Sequence, residues 1–106
     1  MSGIIKYWIP RNRYYELKYF CLQYPHFKEL IARKDITSDI REGCMKAIYI
    51  IESSVCDVNC NFPDILLKSV TEGTTYKKLK CNVPTEEEFF DAYRKFFYFL
   101  SKKKGV

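Results

Sequence analysis

The chain has 106 residues, 47% of them hydrophobic and 17% aromatic, and a formal net charge of +5. That apolar fraction excludes an intrinsically disordered chain, and the length allows one domain with one modest core. Four Gly and four Pro are too few for a many-turned β fold, and no apolar run approaches the roughly 18 residues of a membrane span. The opening MSGIIKYWIPRNR places its basic residues after the apolar ones and lacks a long apolar stretch. A signal peptide is therefore not expected, and the expectation is a soluble, cytoplasmic protein without membrane partners.

Residues 1–11 form a short apolar arm, Ile4, Ile5, Tyr7, Trp8 and Ile9, stopped by Pro10. Packing of Trp8 onto the helices is preferred to its display, because a lone Trp is usually buried. Asn12 is placed to cap a helix over Arg13–Tyr24 carrying Tyr14, Leu17, Cys21 and Tyr24 on one face. Pro25 either kinks that helix or opens a second one, Pro25–Lys34, with Phe27, Leu30 and Ile31 inward. Thr37 or Ser38 caps the next helix, in which Ile40, Cys44, Ala47, Ile48, Ile51 and Val55 keep the clearest helical period of the chain. A break over Asp57–Asn61 precedes a helix with Pro63 and Asp64 in its first turn, ended by Gly73 as a left-handed cap.

From Val70 to Lys104 the order is helix end, short basic helix, tight turn and long capped helix. Thr74 or Thr75 caps the short helix, with Tyr76 and Leu79 inward and Lys77, Lys78 and Lys80 outward. Cys81–Pro84 make the turn. Thr85 with Glu88 spells a capping box. The last helix buries Phe89, Tyr93, Phe96 and Leu100, broadened by Phe90, Phe97 and Phe99, and its charges run from Glu86, Glu87, Glu88 and Asp91 to Lys102–Lys104 along the macrodipole. The fold expected is all-α: a compact bundle of five or six helices in a single domain over residues 1–106, with an arm at 1–11, a helical core at 12–72 and a helix-turn-helix-like unit at 73–104.

The chemistry of enzymes is not spelled out. There is no Walker loop, nucleophile elbow or H-E-x-x-H motif, and one histidine, His26, beside a proline and without an evident acid partner. Of five cysteines, Cys21 and Cys44 sit at apolar helix positions as small hydrophobes. Cys56-x-x-x-Cys60 could meet Cys81 and His26 around zinc, but the second close ligand pair is missing, so no metal and no cofactor are expected. A non-enzymatic binding protein is expected instead. Its charge is divided: residues 1–34 carry net +5, residues 35–72 net −4 and residues 73–106 net +4, which permits one basic face if the two ends meet in space.

Three segments, RYYELKYFCLQYP at 13–25, VTEGTTYKKL at 70–79 and FFDAYRKFFYFL at 89–100, resemble small phage and prophage proteins of low-GC Gram-positive bacteria. The C-terminal part is similar to the ArpU/RinA-type phage transcription regulators, whose helix-turn-helix resembles the promoter-reading domain of sigma factors. The resemblance implies a DNA-binding transcriptional regulator acting on duplex DNA in the cytoplasm of a bacterial host. In that reading Thr75–Lys80 is the supporting helix and Thr85–Lys103 the recognition helix. Lys77, Lys78, Lys80, Arg94 and Lys95 then neutralise phosphates, and Thr85 lies near the backbone. The turn is about one residue short, however, and recognition helices touch bases through their first turn, which here offers Glu86, Glu87, Glu88 and Asp91. An alternative is therefore a phage-encoded protein that uses these carboxylates to bind a host protein or nucleoprotein complex, as an inhibitor of a defence nuclease or of RNA polymerase. A helical homodimer joined through the aromatic surplus, including Tyr15, Tyr19, Tyr49 and Tyr98, is a third expectation.

Overall fold

Pro10 sets the first boundary. Its backbone is extended, at φ −60° and ψ 148°, and its carbonyl accepts from Tyr14 N–H at 2.9 Å. The computed structural model describes residues 7–79 and 85–105, and in these the chain forms six helical segments and no strand. The first, α1, covers Arg11–Leu22, with Pro10 at its N-cap and no capping side chain. Asn12 is thus inside the first turn, not the cap expected from sequence: a proline already fixes the extended entry and lacks an N–H to satisfy. At Gln23 the backbone stays right-handed, and α2 begins at once over Tyr24–Ile31 with Pro25 in its first turn. Pro25 therefore opens a second helix, which stops short of the expected Lys34. Arg33 instead binds Asp35 through two hydrogen bonds of 3.0 and 2.8 Å.

Helix α3 spans Ser38–Val58, capped by Thr37 Oγ1 accepting from Ile40 N–H at 3.2 Å. It runs past Asp57 and ends at Asn59, whose φ of 56° is left-handed, a conformation Asn tolerates better than most residues. Helix α4, Pro63–Glu72, has Phe62 at its N-cap, and Gly73 closes it at φ 70°. A side chain at Gly73 would be strained by that φ, and its Cβ would come within 3.4 Å of Leu22 Cδ2. The single turn α5, Tyr76–Leu79, buries neither Tyr76 nor Leu79 fully. Helix α6 covers Glu86–Lys103 behind a complete capping box: Thr85 accepts from Glu88 N–H, and Glu88 accepts from Thr85 N–H. Lys80 and the expected turn at Cys81–Pro84 lie outside the described residues.

The elements assemble as an all-α bundle around one cluster. Leu17 and Cys21 of α1, Tyr24 of α2, Ile48, Ile51 and Val55 of α3, Leu66 and Val70 of α4, and Ala92, Phe96, Phe97 and Leu100 of α6 meet there. Helix α3 packs most extensively, against α2 and α6. Its end lies beside Ala92 and Lys95 and its middle beside Lys103 and Lys104, so α3 and α6 run in opposite senses. Polar ties lie at the margin of this core. Arg41 of α3 donates to the carbonyls of Ile31 and Arg33, satisfying groups left open at the end of α2. Tyr24 donates to Glu52, which also faces Lys28 at 3.7 Å, and Lys103 meets Asp57 at 2.7 Å.

Four side chains, Trp8, Tyr93, Phe90 and Ile40, are less buried than expected from sequence. Trp8 is 67% exposed while its neighbour Ile9 packs partly buried against the core. On α6, Phe97 is buried and Tyr93 only partly, while Phe90 is 41% exposed; the buried stripe follows 89, 92, 96, 97 and 100. Ile40, the first residue of the α3 stripe, is also exposed, being in the first turn and beyond the reach of α6.

Phe96 is fully buried in this cluster. Phe96→Ala is expected to lower unfolding stability by about 3–5 kcal/mol, measured by denaturant titration. The thiols divide in the same way. Burial pushes the Cys21 thiol up to about 12, opposed in part by the charge of Lys104, and Cys44 is buried while Cys56 is exposed. In a variant with Cys56, Cys60 and Cys81 replaced by Ser, the two remaining thiols should react with a chromogenic thiol reagent only on unfolding.

Candidate functional site

Local rules position the cations expected to meet nucleic acid. Gly73 ends α4, and Ser69 Oγ donates to the Thr74 carbonyl at 2.7 Å, turning the chain into α5. Tyr76 then holds α5 against α6 by packing its ring 5.4 Å from that of Phe89. Lys77 and Lys78 are left exposed, and among the described residues neither has an ion-pair partner. Thr85 sits exposed at the α6 N-cap with its hydroxyl engaged by Glu88.

The remaining predicted residues are on α6, and there the structure pairs opposite charges. Asp91 lies 3.1 Å from Lys95 Nζ and 3.9 Å from Arg94 Nη2, so both cations share one carboxylate one turn along the helix. Lys95 also stands 5.4 Å from the centre of the Tyr7 ring. Glu86, Glu87 and Glu88 are exposed in the first turn. Thr85, Glu87, Glu88, Asp91 and Arg94 together line one shallow depression, so the acidic turn and Arg94 form a single mixed surface. The capping contacts from the Thr85 backbone and side chain hold the Glu88 carboxyl below its ordinary value.

A second surface was not singled out by sequence motifs. Tyr14 of α1 and Tyr93 of α6 meet through their hydroxyls at 2.9 Å. Their rings each lie 5.0 Å from that of Phe97. Burial first, and then the Tyr14 hydroxyl, push the Tyr93 phenol upward, so it stays protonated as a hydrogen-bonding group. Two concavities share these tyrosines. One, of about 460 Å³, is lined by Tyr7, Trp8, Ile9, Arg11, Arg94 and Phe97 besides the pair. The other, of about 250 Å³, reaches from Lys18 across Gly73–Tyr76 to Phe89 and Phe90. The sequence signal that could have exposed this groove is the surplus of rings at positions 7, 8, 14, 15, 90 and 93, more than one helical stripe can bury. Their juxtaposition depends on how α1 crosses α6, which no local pattern encodes.

Metal ligation finds no cluster: among the described residues no three His, Cys, Asp or Glu side chains converge. Cys56 is exposed, Cys60 partly buried and His26 exposed, and Cys81 lies outside the described residues. No helix of the described residues is long and apolar enough to cross a membrane. Comparison with protein-family models, with curated proteins and with solved structures finds no match.

The pH dependence of the capping box follows from its geometry. A carboxyl held low in the folded state contributes stability above its ordinary value of 4.5, and that contribution is lost as pH falls through the lowered folded value. The stability difference between the parent and Glu88→Ala, from thermal melts across acid pH, should be constant above the ordinary value and should close below it.

Proposed function

We propose that this is a non-enzymatic binding protein whose partner is nucleic acid, a DNA-binding regulator of the phage type that its C-terminal sequence resembles. The observation that carries the reading is the pair Lys77 and Lys78. Both are exposed, and neither has an ion-pair partner among the described residues. They stand on a turn held to the capped helix α6 by Tyr76 and Phe89. Unpaired cations at a fixed spacing suit phosphate oxygens, because no internal salt bridge has to be broken first. Lys80 follows after Leu79 in sequence and adds a third lysine to the same segment. Arg94 and Lys95 add less, since each must compete with Asp91 for its charge.

In this reading affinity comes from the backbone of the duplex and not from base edges. The first turn of α6 presents three exposed carboxylates, which repel phosphates and can accept in the major groove only from the amino groups of cytosine and adenine. That same acidic turn favours a second reading, a partner protein with a basic face, the carboxylates supplying charge complementarity and the neighbouring exposed Phe90 an apolar anchor.

Duplex binding measured by fluorescence anisotropy at low salt separates the two. The nucleic-acid reading expects an affinity that falls steeply with salt, and a shallower salt slope, by roughly one unit per lysine, when Lys77, Lys78 and Lys80 are changed to Ala. Absence of duplex affinity at low salt, or an affinity indifferent to these three changes, would overturn it and leave the protein-partner reading. That reading in turn requires a host protein to be retained from nuclease-treated extract and lost on Glu86→Lys, Glu87→Lys.

A further inference from the structure

The larger of the two aromatic concavities is not used by the α5 contacts. Its volume, about 460 Å³, falls in the range of small-molecule sites, roughly 300–1,000 Å³. Its lining is aromatic at Tyr7, Trp8, Tyr14, Tyr93 and Phe97, and cationic at Arg11 and Arg94. The floor is fixed by the hydroxyl contact of Tyr14 with Tyr93 and by Phe97 packed beneath both rings. Trp8 borders it, 67% exposed, and the next residue, Ile9, also lines it while packing partly buried against the core.

Both cations are accessible. Arg11 is exposed and has no ion-pair partner among the described residues, and Arg94 faces Asp91 only at 3.9 Å, beyond hydrogen-bonding distance. Lys95 adds a third positive group behind Tyr7, although Asp91 holds it at 3.1 Å. A purely apolar ligand would leave two arginines unexplained, and a simple anion would leave five rings unexplained. A planar ring bearing a doubly charged oxyanion meets both demands, since any base can stack on an aromatic face and a guanidinium binds phosphate oxygens in pairs.

We propose that this depression is a nucleotide-binding site, in which the base stacks among Trp8, Tyr14 and Tyr93 and the phosphate lies between Arg11 and Arg94. The shared chemistry, one base and one phosphate, is supplied either by a free mononucleotide or by an unpaired nucleotide of a strand. The site is separate from Lys77 and Lys78 and shares only Arg94 with the duplex-binding reading, so Arg11 and the two lysines test the two readings apart.

Trp8, the chain's single tryptophan, is a built-in reporter. Titration of the full chain with thymidine monophosphate should quench its fluorescence saturably, because stacking on a base quenches indole emission. Arg11→Ala, at an exposed position, should weaken binding about tenfold, the loss of one charge-assisted contact of about 1.4 kcal/mol. Arg94→Ala should weaken it as well, with far-UV circular dichroism unchanged in both. Thymidine, which lacks the phosphate, should bind more weakly than the monophosphate. A six-residue oligothymidylate that binds more tightly than the monophosphate identifies a strand as the source; equal affinity identifies the free nucleotide. Changing Lys77 and Lys78 to Ala should impair duplex binding and leave the monophosphate titration as it was. The proposal is overturned if millimolar monophosphate produces no saturable quenching, if Arg11→Ala does not alter it, or if benzoate quenches as strongly.

Discussion

One requirement governs this fold: the apolar stripe of α6 must leave water. Phe89, Ala92, Phe96, Phe97 and Leu100 are all buried, and rings of this size dominate the energetics of a small core. No single neighbour can cover a stripe that wide. Helix α3 supplies Ile48, Ile51 and Val55, α1 supplies Leu17 and Cys21, and α4 supplies Leu66 and Val70. Most of the stability of such helices comes from tertiary packing rather than from propensity, so each depends on α6 as well as on its own sequence. The polar ties are arranged around this packing. Arg41 closes the end of α2, Glu52 gathers Tyr24 and Lys28, and Asp57 meets Lys103.

Filling a core with rings has a consequence at the surface. The chain holds nine Tyr, eight Phe and one Trp, and rings beyond the capacity of the core collect where α1 crosses α6. There the Tyr14 and Tyr93 hydroxyls satisfy one another, and Tyr7, Trp8 and Phe90 extend the aromatic surface on either side. The charges of α6 follow a different rule. Carboxylates gather at its start and lysines at its end, in agreement with the helix dipole. Stability alone accounts for that order, so the placement of Glu86, Glu87 and Glu88 is not by itself a statement about a partner. What folding does not require is exposed cations without ion-pair partners, and among the described residues Lys77, Lys78 and Arg11 are of that kind.

Much of the helical outline was legible residue by residue. Thr37, Thr85 with Glu88, and Gly73 perform the caps read from their types, and Cys44, Ala47, Ile48, Ile51 and Val55 are buried as their spacing indicated. The misreadings share one cause. Asn12, Trp8 and Phe90 are assigned from the company they keep in sequence, whereas their environments are set by other elements. Pro10 takes the cap from Asn12. The crossing of α1 over α6 buries Phe97 and leaves Phe90 and Trp8 at the surface. The site was less legible than the fold. Lysines on a short helix are visible as a run, but the sharing of Asp91 between Arg94 and Lys95, and the meeting of Tyr14 with Tyr93, join side chains through geometry.

The sequence by itself determined that this chain is helical, where most of its helices start and stop, and which stripe of each is apolar. Those properties depend on hydrogen bonds and sterics within a few residues, which prolines, glycines and capping side chains decide locally. Only the tertiary structure decided which rings fill the core and which are left to line a groove. It also decided which cations are spent on carboxylates and which remain open to a partner. Those outcomes depend on the angle at which α1, α3 and α4 cross α6, and crossing angles are set by the mutual fit of whole surfaces.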